Sequence, residues 1–283
     1  MGIDFQTGLG IGVMAFFAEF IDSSLGMGYG TTLTPLLMLI FGFEPLQIVP
    51  AVLLSELVTG VLAGFTHHSM GNVNFRPQTM SLTRIFSGLK KSGGVDAITH
   101  GLPVHLQIVM ALALAGVLGT VISVFIAISI PKFWLKLYIG VLVVTIGVVI
   151  LGTLKRDFGF SWKKIWALGF IASFNKGMSG GGYGPVVTGG QIISGVEGKS
   201  AVGITSLSEG LTCLVGVIMY VVLKENTDWR LAPYLVAGGI LSVPISAYVV
   251  KISKTYWLRA GIGVTTAALG LFTLYRVIVP VLK

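Results

Sequence analysis

The apolar residues of this chain gather into stretches long enough to cross a lipid bilayer. Each half of the 283-residue sequence contains three stretches of 20 or more residues that are mainly apolar. A helix needs about 20 such residues to span a hydrocarbon core of ~30 Å. Only 11% of the residues are charged, whereas soluble domains carry about 25%. The sequence therefore predicts an all-α polytopic membrane protein and excludes a soluble enzyme, a secreted disulfide scaffold and a disordered regulator.

The two halves of the chain carry the same series of motifs in the same order, which indicates an internal duplication. Residues 22–30 have the sequence DSSLGMGYG, and residues 176–184 have the sequence KGMSGGGYG. Further matches continue to the end of each half. They define repeat 1 as residues 1–153 and repeat 2 as residues 154–283, with an additional segment at about 77–102 in repeat 1.

Each half begins with two short apolar stretches that a glycine-rich break separates. The breaks are Gly26–Gly30 and Gly180–Gly184, and such sequences do not continue a helix. The pair is either a re-entrant hairpin or one discontinuous crossing. A hairpin gives three further crossings per half and inverted repeats, whereas a discontinuous crossing gives four crossings and parallel repeats. Length favours inverted repeats, because residues 8–42 as a single helix would be ~50 Å long.

The additional segment at about 77–102 has no counterpart in repeat 2. Between Ser81 and Lys91 the apolar residues recur at helical spacing, and basic residues occupy the other positions. This pattern predicts a short amphipathic helix that lies on the anionic cytoplasmic leaflet. A binding site for a regulatory partner is the alternative interpretation.

A few ionisable residues interrupt the apolar stretches. They are Glu19, Asp22, Glu56, Lys176 and Glu209. Each costs ~2.5–3.5 kcal/mol at the bilayer centre unless it is paired or hydrated, so a functional role is the first hypothesis. Glu56 and Glu209 occupy equivalent positions in the repeats, and each follows a serine, Ser55 or Ser208. These carboxylates either couple transport to protons or substrate, or they accept hydrogen bonds from the broken backbone of their own repeat.

The glycine breaks also predict a binding site. A helix that restarts after a break presents free N–H groups and a positive dipole end, which bind anions. Broken helices at matching positions of two repeats indicate the midplane site of a transporter. Lys176 lies beside the second break and Asp22 at the matching place in the first. Either the two side chains pair, or Lys176 is free to bind an anionic substrate.

The predicted site has two parts. The predicted substrate-binding residues are Ser24, Gly26, Gly28, Tyr29, Gly30, Thr31, Asn175, Lys176, Ser179, Gly180, Gly182, Tyr183 and Gly184. The predicted polar and coupling residues are Glu19, Asp22, Ser55, Glu56, Ser208 and Glu209.

Other classes of function remain alternatives. The Gly-Tyr-Gly sequences at 28–30 and 182–184 are similar to a potassium-channel filter, which needs four copies and therefore a homo-oligomer of this chain. A membrane oxidoreductase needs cofactor ligands, but the histidines have no partners in the other repeat. No Walker loop, nucleophile elbow or HExxH motif occurs, so we predict no enzyme activity, cofactor or metal. The basic residues lie between apolar segments, which predicts contact with the lipid bilayer rather than with nucleic acid.

These motifs resemble the TauE/SafE family of membrane transporters. The similar features are the two breaks, GMGYG and SGGGYGP, a Gly-X-Glu turn in each half, and the segments GNVNFR and ENTDWRLA. The resemblance implies a multi-pass transporter of a prokaryotic inner (cytoplasmic) membrane that exports sulfite or an organosulfonate such as sulfoacetate. Without a nucleotide site, the energy would come from an ion gradient, with protons as a candidate, or from the gradient of the anion. We therefore expect a secondary transporter that works by alternating access between its two repeats.

Overall fold

The computed structural model describes residues 3–76, 102–152, 161–193, 196–224, 227–252 and 256–279. Nearly all of the predicted insertion at 77–102 lies outside these residues. Within them the chain forms ten α-helices and no strand. The helices are α1 (Phe5–Leu25), α2 (Tyr29–Ile40), α3 (Pro45–Ser69), α4 (Val104–Ser129), α5 (Lys132–Gly152), α6 (Trp162–Ser179), α7 (Tyr183–Ile193), α8 (Gly198–Leu223), α9 (Ala232–Ile252) and α10 (Tyr256–Ile278).

Six of the helices in the described ranges are long and apolar enough to cross a membrane, namely α1, α3, α4, α5, α8 and α9. Large apolar side chains such as Phe17, Leu118 and Leu241 are more than half exposed on their outer faces. A soluble monomer rarely exposes so much apolar surface, whereas a membrane protein presents it to lipid. The predicted fold class, an all-α polytopic membrane protein, is confirmed.

The helix before each break is longer than the apolar stretch that predicted it. The hydropathy of repeat 1 falls near residue 21, but α1 continues to Leu25 and has 21 residues. Its last turns contain the buried polar residues Glu19, Asp22 and Ser23. Hydropathy falls there because the side chains become polar, while the backbone hydrogen bonds of the helix continue. The helices after the breaks, α2 and α7, are as short as the sequence predicts, with 12 and 11 residues.

The helices of the two halves interlock in a reciprocal pattern. In repeat 1, α1 and α3 pack against α9 of repeat 2. In repeat 2, the equivalent helices α6 and α8 pack against α4 of repeat 1. The equivalent helices α3 and α8 also pack against each other, as do α5 and α10. Helices of each half therefore have major packing partners in the other half.

The equivalent helices α3 and α8 run in opposite directions along their contact. The backbone at Gly60 lies against Gly210, and Gly64, one turn later on α3, lies against Leu207, which precedes Gly210 on α8. The pair α5 and α10 is antiparallel in the same way. Its contacts join Gly140 to Leu274 and Gly147 to Ala267.

The two loop segments that resemble the family motif form the same turn. In repeat 1, the backbone N–H of Arg76 donates to Asn74 Oδ1 at 2.9 Å. In repeat 2, the backbone N–H of Arg230 donates to Asp228 Oδ1 at 3.1 Å. The Arg230 side chain also donates to this carboxylate and lowers the pKa of Asp228 to about 2. Gln47 at the start of α3 donates a hydrogen bond to Asp228 at 3.4 Å. This contact connects the loop of repeat 2 to a helix of repeat 1.

Candidate functional site at the crossing helix breaks

The first break separates α1 from α2. At the end of α1, Gly26 adopts the left-handed conformation, with φ +65°, and its N–H donates to the carbonyl of Asp22 at 2.6 Å. Gly28 has φ +133°, a backbone conformation that is strained for any residue with a side chain. The Asp22 carboxylate accepts a hydrogen bond from the N–H of Tyr29, the first residue of α2, at 3.3 Å. Asp22 therefore connects the end of one helix to the start of the next.

The second break has the same form. At the end of α6, Gly180 has φ +74°, and Gly182 has φ +83°. The hydroxyl of Ser179 accepts a hydrogen bond from the N–H of Gly181 at 3.1 Å. The next helix, α7, begins at Tyr183, which is fully buried like its counterpart Tyr29. The structure thus gives the predicted glycines a definite backbone role at both breaks.

The two breaks cross each other with backbone against backbone. A Cβ atom on Gly30 would lie 1.6 Å from the carbonyl oxygen of Gly180. A Cβ atom on Gly184 would lie 2.5 Å from the carbonyl oxygen of Gly26. These contacts are equivalent, because Gly26 matches Gly180 and Gly30 matches Gly184 in the duplicated motif. Only glycine permits this crossing, and these carbonyls face protein, which disfavours a channel filter made of free carbonyls.

A lysine and two glutamates form an ion cluster beside the crossing. Lys176 near the end of α6 places Nζ 2.7 Å from Glu209 Oε1 of α8, and it also contacts Glu56 of α3 directly. All three side chains are almost completely buried. Glu56 and Glu209 are equivalent in the repeats, so each half supplies one carboxylate to the same ammonium group.

The sequence left two alternatives for Lys176, and the structure shows a third arrangement. Among the described residues its ion pairs are with Glu56 and Glu209, not with Asp22. It is therefore neither free nor paired across the matching positions of the breaks. An anion that binds to Lys176 in this conformation has to replace a glutamate.

Additional carboxylates lie near Lys176 and its two glutamate partners. Oxygen atoms of Asp22, Glu56 and Glu209 lie within 4.8 Å of one another, a separation that suits a cation. Glu19, one turn before Asp22 on α1, is buried and accepts a hydrogen bond from the Ser23 hydroxyl. The region around one ammonium group thus contains four carboxylates. We name Glu19, Asp22, Glu56, Lys176 and Glu209 together the ion cluster.

Glu19 Oε2 and both carboxylate oxygens of Glu56 make no hydrogen bond among the described residues, although Glu56 Oε2 is in direct ion-pair contact with the Lys176 ammonium. Leaving a buried polar group without a partner costs about 1–3 kcal/mol, and more for a charged group. Each such oxygen in a native structure needs a physical explanation.

The remaining predicted residues lie near the breaks or the ion cluster. The Tyr29 hydroxyl and Ser55 Oγ are 2.8 Å apart. Asn175 Oδ1 accepts a hydrogen bond from Tyr138 of α5 at 2.7 Å. Ser24 and Thr31 are buried beside the first break, and Ser208 donates to the Thr205 carbonyl at 3.1 Å. Their role in substrate binding remains a prediction.

The structure also reveals polar contacts that were absent from the predicted site. Thr188 of α7 donates to the carbonyl of Gly26 at 2.6 Å, and its hydroxyl lies 2.8 Å from that of Thr205. Gln191 donates to Thr205 at 2.9 Å. Thr188 and Gln191 are three residues apart on a short helix, a spacing that places both on one face. The sequence already places Thr188 among the polar neighbours of the second break, and its spacing from Gln191 is the signal that could have identified Gln191.

A polar cavity of about 520 Å³ opens near the end of α3. Its lining includes Arg76, Lys199, His68 and His105, together with the acidic Glu197. We call this cavity the basic vestibule. Among the described residues that line the vestibule, basic groups outnumber acidic groups, so their electrostatic field favours anions.

The vestibule lies close to the first break. His67, the residue before His68 of the vestibule, is fully buried. One of its ring nitrogens lies 3.0 Å from Asn72 Nδ2 and the other lies 2.9 Å from the carbonyl oxygen of Ser23. Because Asn72 Nδ2 is a donor, the second nitrogen donates to Ser23, near the end of α1. A direct chain of contacts therefore joins the vestibule to the break.

The fold and the site together define a class of protein. Helices broken at matching positions of two repeats, with ionisable residues among spanning helices, are characteristic of membrane transporters. A family model described as "Sulfite exporter TauE/SafE" matches residues 11–88 and 77–273. The chain therefore belongs to the TauE/SafE family of membrane transporters, and the resemblance seen in its motifs is confirmed.

A relative of known sequence agrees with this assignment. The chain is 27% identical over 252 residues to the probable membrane transporter protein YtnM of Bacillus subtilis (strain 168), covering 84% of this chain and 73% of YtnM. No solved structure matches the chain. The protein is a multi-pass membrane protein of a transporter family.

Proposed function

We propose that this protein is a secondary transporter that exports a small sulfur-containing anion across a prokaryotic inner membrane by alternating access between its repeats. Sulfite and organosulfonates such as sulfoacetate are the substrate class. The proposal rests mainly on the crossing of two equivalent helix breaks beside the buried Lys176. The description of the family as a sulfite exporter supports the choice of anion.

The helix starts at the crossing suit a compact oxyanion. A helix N-terminus carries about half a positive charge and N–H groups without partners inside the helix. Both α2 and α7 begin at the crossing, at Tyr29 and Tyr183. Lys176 adds a full positive charge when a glutamate releases it. These groups bind sulfonate oxygens by the same interactions that bind phosphate at helix N-termini.

The antiparallel contact of α3 with α8 supports alternating access by inverted repeats. Two equivalent helices that both span the bilayer in opposite directions belong to halves of opposite orientation. In such a protein each half can adopt the conformation of the other, which produces an outward-open and an inward-open state. The reciprocal packing of α1 on α9 and of α6 on α4 supports the same arrangement.

Cysteine labelling tests the inverted arrangement. Ser69 and Lys224 lie just at the ends of α3 and α8, so Ser69→Cys and Lys224→Cys place thiols at nearly equivalent positions. With inverted repeats, a membrane-impermeant maleimide labels the two variants from opposite sides of intact cells or inverted vesicles. Cys213, the single native cysteine, is buried and serves as an unlabelled background. Labelling of both variants from the same side would overturn the inverted arrangement.

Ligand stabilisation of the detergent-purified protein tests the substrate class. The panel is sulfite, sulfate, thiosulfate, sulfoacetate, taurine, acetate and chloride. A ligand at 100 times its Kd adds ~2.7 kcal/mol to the stability of the folded state, which thermal unfolding detects readily. We expect a selective shift with a sulfur oxyanion, followed by efflux of that anion from loaded proteoliposomes. An equal response to all anions, or none, would contradict the proposal.

The basic vestibule predicts a dependence of affinity on ionic strength. Arg76→Gln removes a positive charge from the vestibule, so we expect KM for the anion to rise about 3–10-fold at low salt, as electrostatic focusing weakens. The difference from wild type should shrink at high salt, because the Debye length falls to ~3 Å at 1 M. Arg276→Gln, a charge change outside the vestibule, is the control. A KM that is unchanged at low salt would exclude the vestibule from the path of the anion.

A further inference from the structure

We propose that the ion cluster binds and releases protons, so that each exported anion crosses the membrane together with a proton. This inference rests on the proposed function, because it concerns the ion coupling of the same transport cycle. It is argued from the charges that surround Lys176 and from the carboxylate oxygens without partners.

Several elements bring titratable groups near Lys176. Those that interact electrostatically with Lys176, from α1, α2, α3 and α8, are Glu19, Asp22, Tyr29, Glu56, Glu209 and Cys213. Tyr183 of α7 faces Glu209 and Cys213. If all four carboxylates were ionised, they would exceed the single ammonium by three negative charges. The free-energy cost of burying an unpaired charge is so high that the ionisable group becomes neutral instead. The ion cluster is therefore stable only when it holds protons or another cation.

A metal ion is a poor candidate to neutralise the surplus negative charge of the ion cluster. The ammonium of Lys176 contacts Glu56 and Glu209, two of the three carboxylates whose spacing suits a cation. Lys176 thus fills the position that a metal ion would take between them. Protons need no such space, and protonation removes the charge from Glu56 Oε1 and Glu19 Oε2, which have no donor among the described residues.

The geometry links proton uptake to anion binding. An anion reaches Lys176 by replacing Glu56 or Glu209, and the released glutamate stays in the buried site. That glutamate becomes neutral by taking one proton onto a carboxylate oxygen. When the anion leaves, the glutamate returns to the ammonium and releases the proton. A monoanion and one proton then move together without net charge, so transport responds to a pH difference and not to voltage. Net export then needs an outward anion gradient larger than any opposing proton gradient.

The two glutamates occupy equivalent positions on antiparallel helices, and this suits a cycle with two states. One glutamate can exchange with the anion when the site is open to one side, and the other when it is open to the opposite side. We therefore expect either substitution to interrupt the coupled cycle, Glu56→Gln on one side of the membrane and Glu209→Gln on the other.

Proton flux in proteoliposomes tests the inference. The probe is methanesulfonate, which stays ionised at all accessible pH values and so cannot carry a proton itself. With pyranine inside the vesicles, wild type should move about one proton per anion. A gradient of one pH unit should sustain about a tenfold anion gradient, since 1.4 kcal/mol corresponds to a factor of ten. A valinomycin-imposed potential should leave that gradient unchanged.

The variants separate the two proposals. In Glu56→Gln and Glu209→Gln, proton movement should fall at least tenfold relative to anion exchange. Glu44→Gln, which alters a carboxylate at the loop end of α3 paired with Lys136, should keep the wild-type ratio. Voltage-driven anion flux without protons, or flux that requires sodium, would overturn the proton inference and leave the transporter proposal intact. If wild type moves none of the sulfur anions, the proposed function itself fails.

Discussion

Lys176→Met should abolish anion transport and strongly destabilise the protein at alkaline pH. The substitution removes the ammonium that Glu56 and Glu209 share and leaves their charges buried without a partner. Removing one member of a buried ion pair costs about 3–5 kcal/mol. We expect part of this stability to return as the pH is lowered, because a buried carboxyl group without a cationic partner is tolerated only in its neutral form. Thermal unfolding across pH and efflux of the stabilising anion are the measurements.

Two further variants give this test its controls. Lys136→Met removes a partly exposed lysine that is paired with Glu44, and should cost only about 0–1 kcal/mol. The double variant Lys176→Met with Glu209→Gln removes one positive and one negative charge from the ion cluster, so it should recover most of the stability and still not transport. Normal transport by Lys176→Met would exclude this lysine from the anion site.

Gly30→Ala is the second substitution with a large expected effect, because it disrupts the packing of the two breaks against each other. The added methyl group would lie 1.6 Å from the carbonyl oxygen of Gly180, a backbone atom that cannot move aside as the end of a flexible side chain can. Overpacking of a core typically costs about 1–3 kcal/mol and occasionally more, and a clash with backbone belongs at the upper end. We expect poor expression, a lower Tm and no transport.

Gly189→Ala is the matched control for this substitution. Gly189 lies on the short helix α7, and a Cβ atom there would meet nothing within 4 Å. Alanine is favoured over glycine by about 1 kcal/mol inside a helix, so Gly189→Ala should retain or increase the Tm. If Gly30→Ala were as stable and active as Gly189→Ala, the breaks would not cross at Gly30.

The sequence predicted those features that depend on local pattern. Hydropathy identified the spanning helices, because lipid selects apolar side chains over about 20 residues. Glycines at 26, 28, 180 and 182 predicted the breaks, and each has a positive φ in the structure. The duplication also identified Glu56 and Glu209 as equivalent residues without any knowledge of their surroundings.

The sequence could not predict features that depend on contacts between distant segments. The partners of Lys176 lie 120 positions before it and 33 after it, and nothing in the local pattern selects Glu56 over Asp22. The contact of Thr188 with Gly26 joins the two halves of the chain, and the helical spacing of Thr188 does not indicate this partner. The apolar stretch of the first helix ends before α1 does, because a buried polar surface has the hydropathy of a loop.

The interlocked packing has a consequence for biosynthesis. A ribosome completes α1, α3 and α4 before α6, α8 and α9 exist, although these later helices supply their main partners. Until the second half is inserted, Glu19 and Glu56 therefore lack the surroundings that bury them in the folded protein. Glu56 also lacks Lys176, the lysine that neutralises it. The interval between insertion of the two halves is thus the stage at which the buried carboxylates of the first half lack the partners that the folded protein gives them.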